Sequence, residues 1–267
     1  MLGILSKAFR ETRLLTLVLG AALLVVTMLL TYVLPKMHEG LNDFLLSMPF
    51  VKSILAALTG VSADGGLTVS MLLSILWTHP VVLAIVWGYE IAYCTRMPAG
   101  EIDRGTIDVL LGWPVSRRAA YLGESAGLLM GGLFLVGMGL CGYLLSAPAV
   151  PEAQRPQLSG ILLVAVNLLC VYVAVGGIAY LVSSLSDQRG RALAIVVALV
   201  VASFLLNFLA NFWEPAKRIS FLSVSHYYQP ARILGEGALR AGDVIALLAI
   251  GGSTWAIGGE ITARRNI

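Results

Sequence analysis

The sequence predicts an all-α integral membrane protein with six transmembrane helices. Hydrophobic residues make up 58% of the chain and charged residues only 12%, which is a membrane composition. Runs of about twenty apolar residues recur, each long enough to cross a bilayer. The charges that remain gather between those runs, most densely over residues 97–125. Residues 1–267 therefore read as a single transmembrane domain. It adds an N-terminal interfacial helix, a helix in the central loop, and outer interfacial or re-entrant helices before the last span.

Residues 1–13 open the chain. Leu2, Leu5 and Phe9 repeat at helical spacing, with Lys7, Arg10, Glu11 and Arg13 on the other side. That pattern predicts a basic helix lying on the membrane surface; the alternative is a positive flank of the first span. The first span covers about 14–34. It is longer than the apolar region of a signal peptide, with no small-x-small cleavage site after it, so it reads as a permanent span. Residues 35–66 carry short amphipathic stretches interrupted by Pro49, Lys52 and Gly60, expected as one or two helices at the outer interface.

The second span covers about 68–93, and His79-Pro80 predicts a kink within it. Glu90 lies near its inner end. An intramembrane carboxylate faces protein or water, so Glu90 reads either as a cavity residue or as a hydrated interface residue. The third span, about 125–145, follows the central loop. Gly123, Gly127 and Gly131 are four apart and form a small-xxx-small face for close packing, against another span or a second subunit. The loop 146–157 holds Pro148, Pro151 and Pro156 and cannot be helical throughout. The fourth span, about 158–182, contains Asn167. The fifth, about 192–213, carries Asn207 and Asn211 one turn apart. These asparagines read either as interhelical hydrogen-bonding groups or as cavity lining. Residues 214–242 include Phe221, His226, Tyr227, Tyr228 and Pro230, and predict a partly inserted helical hairpin at the headgroup level. The sixth span, about 243–261, ends in a basic tail.

In the central loop, Pro98 suits a first helical turn, and Glu101 and Asp103 then sit near the positive end of the helix dipole. Arg104 and Asp108 are four apart and can pair. Ile102, Val109 and Leu110 form an apolar stripe. Pro114 ends the helix near Trp113, and Ser116 is placed to cap the next one.

Glu101, Gly105-Thr106, the run Ile107 to Leu111, and Pro114-Val115-Ser116-Arg117 followed by Leu122-Gly123 resemble the signature of ABC-2 type permeases, the membrane subunits of one class of ABC exporter. Glu124 departs from it, standing where such proteins usually have lysine. The resemblance implies a transport subunit without an ATPase site of its own. Its 97–118 loop would act as a coupling helix, with Glu101, Arg104, Gly105, Thr106, Asp108, Pro114, Arg117 and Arg118 meeting a separate ABC ATPase. ATP and Mg would be bound by that partner and no cofactor by this chain. A second permease subunit, identical or not, would complete the pathway, and transport would run outward.

Six spans put both termini on one side. That side carries Lys7, Arg10, Arg13, Arg96, Arg104, Arg117, Arg118, Arg189, Arg191, Arg264 and Arg265. The other carries Lys36, Lys52, Arg155, Lys217, Arg218, Arg232 and Arg240 over longer loops. The positive-inside rule places the termini and the central loop in the cytoplasm of a multi-pass inner (plasma) membrane protein.

The chain lacks a GxxxxGK[ST] phosphate loop and an HExxH zinc site. Cys94, Cys141 and Cys170 have no metal-ligand or CxxC spacing, so no metal is expected. No basic and aromatic groove suggests nucleic acid. An intramembrane enzyme would need paired catalytic groups at one depth, and His79, His226, Glu90 and Ser253 lack such spacing. A membrane scaffold is the remaining alternative.

Overall fold

The computed structural model describes residues 2–37, 68–112 and 115–265. Among the described residues, six helices are long and apolar enough to cross a membrane, and no strand occurs. The fold class is the all-α membrane class that the composition predicts.

Helix α1 runs unbroken over Leu2–Lys36. At 1.5 Å per residue it is about 52 Å long, well beyond a hydrocarbon core of about 30 Å. The separate N-terminal surface helix expected from residues 1–13 is therefore not formed. Those residues are the first turns of the span itself, because no proline, glycine pair or cap interrupts them. Ile4, Ala8 and Thr12 face inward at helical spacing, while Phe9, Arg10, Glu11 and Arg13 are exposed. The outer helices expected over 35–66 lie outside the described residues from 38 onward.

The second span breaks at the predicted dipeptide. Helix α2 (Val69–Thr78) and helix α3 (Pro80–Cys94) meet at His79, whose imidazole Nδ1 accepts from the Val81 amide at 3.3 Å. Proline at the first position of α3 removes an amide that would have no helical partner. Two short helices, α4 (Ala99–Asp103) and α5 (Ile107–Leu111), form the central loop. Helix α6 (Arg117–Ser146) begins at Ser116, whose hydroxyl accepts from the Ala119 amide at 3.2 Å, the cap that its position predicts. Helices α7 (Leu158–Leu185) and α8 (Arg189–Leu209) follow. The segment 214–236 is not a helical hairpin. It folds as α9 (Glu214–Ile219), two 3-10 turns and α10 (Pro230–Glu236). Tyr228 is buried there and donates to the Trp77 carbonyl at 3.0 Å, tying the segment to α2. Helix α11 (Ala241–Arg264) ends the described bundle.

Helix α7 is the hub, with 67% of its most apolar stretch buried, against 17–22% for α1, α8 and α11. The most intimate helix pairs are α1 with α6 and α7 with α11. Both rest on glycines. A Cβ at Gly142 of α6 would overlap the Thr27 hydroxyl and the Leu24 carbonyl of α1, and one at Gly177 of α7 would overlap the Gly251 backbone of α11. Such close backbone approach is how membrane helices gain van der Waals contact without a hydrophobic drive between them.

Candidate functional site

The central loop is built around a reversal of direction. Gly105 adopts φ 65°, a left-handed conformation that glycine reaches without steric penalty. It separates α4 from α5, so the single loop helix predicted by the sequence is two helices. Arg104 and Asp108 lose their one-turn relation, and their predicted pairing is replaced by an Arg104–Glu101 ion pair at 3.1 Å. The predicted apolar stripe also changes. Ile107 is buried, while Val109 is 68% exposed. Pro114 lies outside the described residues.

Glu101 is the inner anchor of this loop, 3% exposed. Lys7 of α1 reaches it at 2.7 Å, Arg104 pairs with it, and the Thr106 hydroxyl donates to its second oxygen. Burial alone would raise its carboxyl. The hydrogen bonds from Lys7 and Thr106, with the charges of Lys7 and Arg104, outweigh that and hold it below the usual carboxylate range. Glu101 thus turns its charge toward its own chain. Asp103 to Thr106, Asp108 and Val109 form the exposed tip.

Other groups brace the loop from behind. The Arg189 amide donates to Asp103 at 3.3 Å, the Arg189 guanidinium donates to the Ala92 carbonyl at 3.1 Å, and the Ala99 amide donates to the Ser183 hydroxyl at 3.3 Å. Arg96 is buried between Glu11 of α1 and Glu124 of α6 and pairs with both. This accounts for the acidic residue at 124, which neutralises a buried arginine two residues beyond the end of α3. The sequence reading missed Lys7, Glu11, Arg96 and Arg189 as a set. The one signal was that charges cluster at the ends of α1, α3 and α8, which are far apart along the chain.

Arg117 and Arg118 belong to a different place. Arg117 donates to the Arg265 carbonyl, and Arg118 pairs with Glu260 at 3.0 Å, both at the end of α11. The residues predicted for one coupling surface therefore form two clusters, one at the α4–α5 tip and one at the α6–α11 end.

The predicted glycine face packs inside the chain. A Cβ at Gly127 would overlap the Tyr93 hydroxyl, and one at Gly131 the Tyr89 hydroxyl, so α6 receives two tyrosines of α3 in its glycine face. Gly123, one turn earlier, is buried in the same helix. Glu90 is wholly buried, not hydrated at an interface, because α7 covers it. Its carboxylate makes no sound hydrogen bond among the described residues, and the nearest backbone donor is that of Gly176. Asn167 donates to the Tyr227 carbonyl at 3.2 Å, the packing role. Asn207 borders a void of about 40 Å³ with Trp87 and Ser225. Asn211 is exposed and donates to the Asn207 carbonyl at 3.0 Å.

Among the described residues, no group of three or more His, Cys, Asp and Glu side chains is arranged to hold a metal ion. No curated protein and no solved structure matches the chain. The family model for "ABC-2 family transporter protein" matches residues 89–233, more than half of the chain, and that stretch takes in the α4–α5 loop, its braces Arg96, Ser183 and Arg189, and the hub helix α7. The chain belongs to the ABC-2 transporter family and is a membrane permease component of an ABC transporter.

Proposed function

We propose that the chain forms the substrate pathway of an ATP-driven exporter and couples to a separate ATPase through the α4–α5 tip. The observation that carries this is the division of the loop into an inner and an outer half. Glu101 and Ile107 anchor it to the bundle, while Asp103 to Thr106, Asp108 and Val109 are exposed and stand on a base braced by α1, α7 and α8. A braced protrusion transmits a push as rigid-body motion. The ATPase closing on ATP and Mg would displace the tips of two permease chains, identical or not, and move α1 and α8 with them. The lightly buried faces of α1, α8 and α11 leave ample surface for a second permease chain and for lipid. The positive-inside distribution supports a cytoplasmic tip and termini in a cell (plasma) membrane.

The test is co-purification with its ATPase and vanadate-sensitive ATP hydrolysis in nanodiscs. Asp108→Arg and Val109→Asp change exposed side chains without touching the inner anchor. Each should weaken complex formation by about tenfold, a typical effect at the centre of an interface, while the chain alone keeps its melting temperature. Normal assembly and coupled hydrolysis in both variants would refute the docking role.

A further inference from the structure

Behind the α4–α5 tip lies a cavity of about 680 Å³ between α1, α3, the central loop and the start of α8. Four basic side chains, Lys7, Arg96, Arg104 and Arg189, and two acidic ones, Glu11 and Glu101, border it. Both acids are already engaged, Glu101 by Lys7 and Arg104, and Glu11 by Arg96 and Lys7. With Glu124 paired to Arg96 and Asp103 beside Arg189, acids and bases balance in number, and what the wall offers is guanidinium donors, those of Arg104 and Arg189 bordering the cavity. Arg96 is only 6% exposed, and its Nε–H has no acceptor. A buried donor without a partner is costly, and guanidinium groups present a rigid fork suited to phosphate oxygens.

The cavity is also placed at a boundary. It lies where α3 ends and α8 begins, and Leu15 and Ala92 give it an apolar wall. From Ala92, α3 turns Gly88 and Ala84 outward at successive turns, and a Cβ at Gly88 would meet open space. Ala92, Gly88 and Ala84 thus leave a strip of α3 without long side chains, a shallow furrow that starts at the cavity wall.

We infer that this cavity binds a phosphate headgroup of an anionic lipid, with the acyl chain lying in the α3 furrow. Arg104 and Arg189 hold the phosphate oxygens, and Arg96 donates from the cavity wall. The inference goes beyond the ATPase-docking reading and stands without it.

The test uses the full purified chain in neutral detergent, with no ATPase present, so that its failure is separate from failure of the coupling role. Thermal unfolding is followed while short-chain phosphatidic acid, short-chain phosphatidylcholine or inorganic phosphate is titrated in. Phosphatidic acid should give a saturable rise in melting temperature, and phosphatidylcholine, whose choline cancels the charge, should not. The pair Arg104→Gln with Arg189→Gln should raise the half-saturating concentration by roughly tenfold or more, as expected for lost charge-assisted bonds. Arg104→Lys with Arg189→Lys should retain most of the response, and Arg10→Gln with Arg13→Gln, outside the cavity, should retain all of it. In the unaltered chain, added salt should weaken the response. An equal response to phosphatidylcholine, an unchanged glutamine pair or salt-independence would overturn the inference. Inorganic phosphate saturating at the same concentration would assign the site to a free phosphate anion and overturn the lipid.

Discussion

Arg96 shows how much one side chain holds together here. It joins α1, through Glu11, to α6, through Glu124, from a position just past α3. Removing one partner of a buried ion pair leaves the other charge uncompensated, at a cost of about 3–5 kcal/mol. Arg96→Ala should therefore lower the melting temperature strongly, whereas Arg118→Ala, whose pair with Glu260 is exposed, should change stability by less than about 1 kcal/mol. Equal effects in detergent melts would refute this ranking. Glu101 adds a pH dependence. Its folded carboxyl lies below its unfolded value, so its contribution is complete above the ordinary carboxylate pKa and is lost as the pH falls through the lower folded value. Glu101→Gln should remove that acid-side loss, which unfolding followed across the acidic range would detect.

At the scale of elements, glycine decides where helices meet and where the loop turns. Gly105→Ala forces a Cβ into a left-handed conformation and should cost about 1–2 kcal/mol, felt at the tip and not in the spans. Proteolytic nicking of the loop, rising without a change in global melting, is the expected readout. Gly142→Ala and Gly177→Ala instead bring a Cβ against the backbone of a neighbouring helix. Backbone cannot yield as a side chain can, so each should part its helix pair and lower the yield of folded protein. Gly88→Ala meets open space and should leave folding unchanged, which makes it the control for that series. The break at His79-Pro80 and the cap at Ser116 were legible in the sequence because both are local. The turn at Gly105 was not, since a glycine inside an amphipathic pattern does not reveal the sign of φ.

At the scale of the whole molecule, the hub is α7 and the lightly buried spans are α1, α8 and α11. Apolar length and the distribution of basic residues identify spans, but they carry no information on which span is central, because lipid and protein interiors select the same residue types. Single cysteines on the exposed faces of α1, α8 and α11 should cross-link between copies if a second identical chain completes the pathway. Cross-links confined to Gly127→Cys or Gly131→Cys would contradict it, since α3 already occupies that face.

The sequence by itself determined the membrane class, the number of spans, the proline break in the second one and the position of the charged loop. Each of these follows from composition or from neighbours a few residues apart. Only the tertiary structure decided that residues 2–13 extend the first span, that Glu101 faces inward, that Arg117 and Arg118 stand apart from the α4–α5 tip, and that Lys7, Arg96, Arg104 and Arg189 enclose one cavity. These depend on which helix ends come together, through contacts such as Lys7 with Glu101 and Arg96 with Glu124. Pairings between residues so far apart in the chain leave no periodicity in the sequence to read.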